Sequence, residues 1–226
     1  MPRRKASSSR NVSQGRTFDR DSVEFGRALA FTDGLFAIAA TLLVIDLVVP
    51  HLKDSTSVHE LANALQNETA SFVSFAISFA VIARYWAAHH QFVSMLSRMD
   101  QRFLGLTMLY LAFVAFLPFP TSLLGHYFDN PLSVTVYAVS VAAISGMEVV
   151  LFRYAYRHGL IDREIPGDVY RYGIAMSFAP VIFFMISIPV AFASAAAAVC
   201  VWFLGIPLAA IAERWKPEGA DELLLG

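Results

Sequence analysis

The apolar residues of this chain fall into six long blocks, at positions 28–49, 72–92, 103–124, 132–152, 172–190 and 193–212. Each holds about 20 residues, the length at which an α-helix crosses the roughly 30 Å hydrocarbon core of a bilayer. A helix on the surface of a soluble bundle carries polar residues at every third or fourth position, and these blocks mostly do not. The period-two alternation of a barrel strand is also missing. Only helices and closed barrels satisfy their backbone groups inside lipid. The pattern therefore predicts an all-α integral membrane protein with six transmembrane helices.

Composition agrees. Of 226 residues, 57% are hydrophobic and 15% charged, whereas a soluble domain is nearer one quarter charged. The net charge of −1 conceals a strong asymmetry. With six spans, sixteen of the 17 basic residues fall on the side of the termini and only Lys53 on the other. The positive-inside rule then puts both termini in the cytoplasm, and a plasma-membrane location is expected. Three regions follow: a basic, disordered tail at 1–24, a six-helix unit at 25–215, and a short cytoplasmic tail at 216–226. No short apolar region with a cleavage site follows the early arginines, so the first helix is expected to act as the insertion signal. The triplet Asn67-Glu68-Thr69 matches a glycosylation sequon, a pattern that also arises by chance.

The candidate chemistry lies within the helices. The lone Cys200 excludes a disulfide framework or a cysteine zinc site within one chain. Phosphate loops, HExxH and GxSxG motifs are missing, as is the TVGYG filter of ordinary potassium channels. No loop exceeds about 20 residues, so soluble catalytic machinery has no place to sit, and no enzyme, cofactor, nucleic acid or soluble substrate is expected. Adjacent His89 and His90 point about 100° apart on a helix, which argues against a shared metal ion.

The first helix is the most unusual segment. Ile38, Thr41, Leu42 and Ile45 recur at three- and four-residue spacing and share one face. That face is either a helix–helix seam, with Thr41 bonding the carbonyl four residues back, or the lining of a path. Asp33 suits a helix N-terminus. Asp46 is either a cation attractor at a pore mouth or a solvated helix end, and Glu148 either pairs with Arg153 or faces a crevice.

The stretch from Arg27 through Phe31-Thr32-Asp33-Gly34 to Ile38, Thr41 and Leu42 resembles the first-helix signature of the transmembrane protein 175 potassium-channel family. That signature usually has Ser where Thr32 stands. Tyr85-Trp86-Ala87-Ala88-His89-His90 and Leu117-Pro118-Phe119-Pro120-Thr121 are also similar to family patterns, and the length resembles a bacterial one-unit member. The resemblance implies a homotetramer in the bilayer with the first helix of each subunit lining a central pore for K+. It implies that Ile38, Thr41 and Ile45 face the ion path with Leu42 beside it. It also implies a polar network of Arg27, Phe31, Thr32 and Asp33 with Trp86 and either His89 or His90. The competing reading is a proton-coupled transporter or proton leak using Asp33, Glu148 or the histidines. An intramembrane enzyme ranks third, since Cys200 has no histidine near it in sequence.

Overall fold

A computed structural model describes residues 17–217 and residue 220. Among them the chain forms eight α-helices and one small antiparallel ribbon. The order is β1 (Thr17–Asp19), α1 (Val23–Ile45), α2 (Val58–Asn67), α3 (Thr69–Ser94), β2 (Arg98–Asp100), α4 (Gln101–Phe116), α5 (Pro118–His126), α6 (Pro131–Arg157), α7 (Gly167–Ala191) and α8 (Ala195–Ala212). Among the described residues, five stretches are long and apolar enough to cross a membrane: α1, α3, α4 with α5, α6 and α7. The sixth expected span is α8, in which the apolar stretch is the shorter Ala195–Gly205.

The helices start where side chains supply the missing acceptors. Ser22, Asp100 and Asn130 cap α1, α4 and α6 by accepting from the backbone N–H of Phe25, Phe103 and Leu132. The third apolar block is not one continuous helix. It divides at Leu117 because Pro118 has no N–H to continue the ladder, and Pro118 instead opens α5. Pro180, Pro189 and Pro207 lie inside α7 and α8.

The α6 helix is the spine. It packs along α7 most extensively and also meets α4, α5 and α8, while α1 lies on α3, α4 and α5. The core contains buried Phe103, Tyr110, Leu117, Leu124, Tyr137 and Leu151. Hydroxyls join the helices inside it. Thr121 donates to the Ser78 hydroxyl at 2.8 Å, and Ser78 donates to the Tyr137 hydroxyl at 3.0 Å. The Tyr85 and Ser145 hydroxyls bond each other. Trp202 of α8 donates to Ser187 of α7 at 2.8 Å and stacks on Tyr137.

One end of the bundle is tied by the ribbon. Thr17, Phe18 and Asp19 pair with Asp100, Met99 and Arg98, and Leu96 bridges to Ile161. This corrects the expectation of disorder through residue 24. The segment from Thr17 is ordered because β2 offers it a free edge, and because the Arg20 guanidinium donates to the Leu96 carbonyl at 3.2 Å. Positions 1–16 of the expected tail, and most of 216–226, lie outside the described residues. At the opposite end α2 is capped by Ser57. Its Glu60 carboxylate accepts from the backbone N–H of Lys53 and Asp54 at 2.7 and 3.1 Å.

Two expectations follow. Tyr137→Phe keeps the packing and removes one interhelical hydrogen bond, and should cost about 0.6 kcal/mol. Tyr137→Ala opens a cavity and should cost about 3–5 kcal/mol. Reversible unfolding in mixed micelles measures both. The bonds from Lys53 and Asp54 also hold the Glu60 carboxyl below its ordinary value. Its contribution to the order of the 53–60 loop is therefore complete above the unfolded pKa and is lost as pH falls through the lowered folded one. Protection of the Lys53 and Asp54 amides in hydrogen exchange, after correction for intrinsic rates, should drop only at acidic pH.

Candidate functional site

On a helix turning about 100° per residue, Phe31, Ile38, Thr41, Leu42 and Ile45 fall within an arc of about 100°. All five are exposed in the single chain, Ile38 at 59% and Ile45 at 74%. The other side of α1 carries Phe25, Thr32, Phe36, Ala39 and Leu43, all buried, with Thr32 at 3% and Phe36 at 2%. One helix thus has a face committed to the rest of its own chain and an uncovered, mostly apolar face from Phe31 to Ile45. The Thr41 hydroxyl donates to the Ile38 carbonyl at 2.9 Å, three residues back rather than the four expected. Its proton is used within the helix while its oxygen keeps lone pairs for an acceptor role.

The residues implied for one polar network divide between three surroundings. Asp33 and Trp86 do meet: the indole N–H donates to the Asp33 Oδ1 at 3.0 Å and joins α1 to α3. His90 lies against the Trp86 ring, with centroids 5.5 Å apart. His89 instead turns into the core, stacked on Tyr110 at 5.0 Å and near Phe36 of α1 at 6.2 Å. Its buried Nδ1 has no partner among the described residues. Thr32 donates to the Ala28 carbonyl of its own helix at 3.0 Å. Arg27 does not join Asp33. It is exposed, on the side of α1 that carries Ile38, and makes no ion pair among the described residues. Phe31 lies on that exposed stripe as well.

Two residues left open by the sequence now have neighbours. Asp46 accepts from the Ser122 hydroxyl at 2.9 Å, and its other oxygen is 3.9 Å from His126 Nδ1. It anchors the far end of α1 to α5. Glu148 accepts from the Tyr110 hydroxyl at 3.3 Å, makes no ion pair with Arg153 among the described residues, and lines a crevice with Arg84. The roles of Ser122 and Tyr110 were missed in the sequence. Neither carries a spacing signal, since each acts through a residue on another helix.

Fold and stripe together define a multi-pass, all-α membrane protein built around an anchored first helix. The family model described as the endosomal/lysosomal potassium channel TMEM175 matches residues 27–118. A protein named a potassium channel in Chamaesiphon minutus is 38% identical over 138 residues, covering 60% of this chain and 66% of that one. Another so named, in Streptomyces collinus, is 33% identical over 153 residues, covering 66% and 73%. The crystal structure of a lysosomal potassium-selective channel TMEM175 homolog from Chamaesiphon minutus superposes with a TM-score of 0.67 at 32% identity, over 84% of this chain and 99% of that one. The chain belongs to the TMEM175 family.

The geometry makes the Asp33–Trp86 bond a local strut rather than a buried ion pair. Asp33→Ala and Trp86→Phe should each cost about 1 kcal/mol, with a double-mutant coupling of similar size. Arg27→Ala should change the unfolding of the dissociated chain by less than about 0.5 kcal/mol. A thermodynamic cycle in detergent checks all three, and additive losses at Asp33 and Trp86 would refute the strut.

Proposed function

We propose that this protein is a potassium-selective channel of the plasma membrane, assembled from four copies around a central axis lined by α1. The observation that carries the reading is the uncovered stripe of Ile38, Thr41, Leu42 and Ile45 opposite a fully packed face. One chain offers one such stripe and cannot enclose an axial path. Closed rotational symmetry is the usual remedy, and the family's channel description supports it. Both termini face the cytoplasm in this reading. Arg20, Arg98 and Arg163 belong to segments at the end tied by the ribbon, whereas Lys53 lies beyond the other end of α1.

In the assembled pore, four Ile38 side chains make a hydrophobic constriction that excludes water. Four Thr41 oxygens one turn away replace part of the lost hydration shell. Potassium surrenders its water more readily than sodium, so the barrier is lower for it. Arg27 stands near the cytoplasmic mouth and does not coordinate the ion.

Native mass measurement should give a tetramer. Ile38→Asn places four amides at the constriction and should raise flux while lowering the preference for potassium over sodium. Thr41→Val keeps the volume and removes the oxygen, and should lower that preference with assembly intact. Reversal potentials under opposed potassium and sodium gradients in proteoliposomes read both. Unchanged selectivity in two well-assembled variants would place the stripe outside the ion path. Flux that required a proton gradient would favour a carrier.

A further inference from the structure

Away from α1, a cavity of about 190 Å³ lies between α3, α6 and α7. Its polar lining is Arg84, His89 and Gln91 of α3, Glu148 of α6, and Tyr172 and Ser177 of α7. Phe152 and Met176 add apolar wall. The α6 helix packs closely along α7, whereas the α3 backbone stands off from both, and the cavity occupies the resulting crevice. At 1.5 Å per residue the 26-residue α3 is about 39 Å long, some 9 Å more than the hydrocarbon core. The helix is therefore longer than the core is thick, and Arg84, ten residues before its C-terminal end, carries a side chain of the kind that extends toward headgroups.

The polar groups of this cavity are poorly served by the protein itself. Arg84 and Glu148 face the same space but form no ion pair within 4 Å among the described residues. The Glu148 carboxylate, with room for about four hydrogen bonds, accepts only the long one from Tyr110. His89, also at the cavity wall, has its buried Nδ1 unpartnered. A buried polar group without a partner calls for water, an ion or a ligand.

We propose that this cavity binds a primary-ammonium phospholipid of the surrounding bilayer, its phosphate on Arg84 and its ammonium on Glu148. A cation and an anion held apart on two walls of one crevice match a zwitterionic headgroup. The carboxylate selects among zwitterions, because a primary ammonium offers three N–H donors and a quaternary one offers none. A purely anionic headgroup is repelled by Glu148. The apolar wall of the crevice receives the start of the acyl chains. This goes beyond conduction and requires only that the chain spans the membrane.

The test is native mass spectrometry of the full chain with phosphatidylethanolamine, phosphatidylcholine and phosphatidylglycerol added in turn. Phosphatidylethanolamine should bind roughly tenfold more tightly than phosphatidylcholine, the worth of one charge-assisted hydrogen bond. Glu148→Gln should abolish that preference and leave phosphatidylcholine unchanged, and Arg84→Gln should weaken all three lipids. Ser177→Phe fills the crevice from α7 and should remove the adduct from folded protein, which keeps the test decisive if Glu148→Gln does not fold. Equal retention of phosphatidylethanolamine and phosphatidylcholine by the native chain, a preference that survives Glu148→Gln, or tightest binding of phosphatidylglycerol would overturn the assignment. So would adducts that persist in Ser177→Phe, or displacement by soluble glycerophosphoethanolamine at the same concentration as the lipid.

Discussion

The rotational setting of α1 is the constraint on which the candidate site depends. A turn of one residue about the helix axis moves every side chain by about 100° and would bury Ile38 while exposing Phe36. Two polar contacts resist that turn. At the middle of the helix Asp33 accepts from Trp86 of α3, and at its C-terminal end Asp46 accepts from Ser122 of α5. Between them Phe36, Ala39 and Leu43 pack into the subunit, with Phe36 beside the stacked rings of His89 and Tyr110. Shape and hydrogen bonding thus agree on which side of the helix is left free.

The rest of the bundle supplies something for α1 to be held against. Inside lipid, apolar surface gains little by moving from acyl chains onto another helix, so packing and interhelical hydrogen bonds decide how helices associate. The hydroxyl chain from Thr121 through Ser78 to Tyr137 links α5, α3 and α6, and Tyr85 with Ser145 links α3 and α6 again. Thr121 and Ser78 are short and let α5 and α3 approach, whereas Tyr137 and Tyr85 reach across the wider separation of α3 and α6. The division of the third span at Leu117 places α5 against α3 and α1, where Ser122 can reach Asp46. The Pro118 break thus contributes to the anchoring of the first helix.

Block length in the sequence was enough to locate five long apolar spans, and the three- and four-residue spacing on α1 was enough to group Ile38, Thr41, Leu42 and Ile45. Both signals are local, and α-helical geometry converts them directly into position. The division at Leu117 was legible in Pro118 and Pro120 but was overridden by the continuity of the apolar run. The β1–β2 ribbon left no trace, because three-residue strands carry no periodicity and this pairing is fixed by a partner some 80 positions away. Within the single chain Arg27 and Asp33 lie apart for a geometric reason. The two are six residues apart, which on a helix points them about 120° away from each other.

The state of the Thr41 hydroxyl narrows what the stripe can accept. A hydroxyl normally offers one proton and two lone pairs, and so serves anions and cations alike. Here the proton is engaged by the Ile38 carbonyl at 2.9 Å, within the same helix. What remains to face outward is oxygen density alone. A ring of such oxygens favours a cation and offers an anion nothing to bind. The neighbouring isoleucines, being apolar, add a cost for any ion that keeps too much water. In the proposed pore the intrahelical hydrogen bond thus turns Thr41 toward cations, and the Thr41 oxygen together with the Ile38 side chain one turn before it discriminates among them.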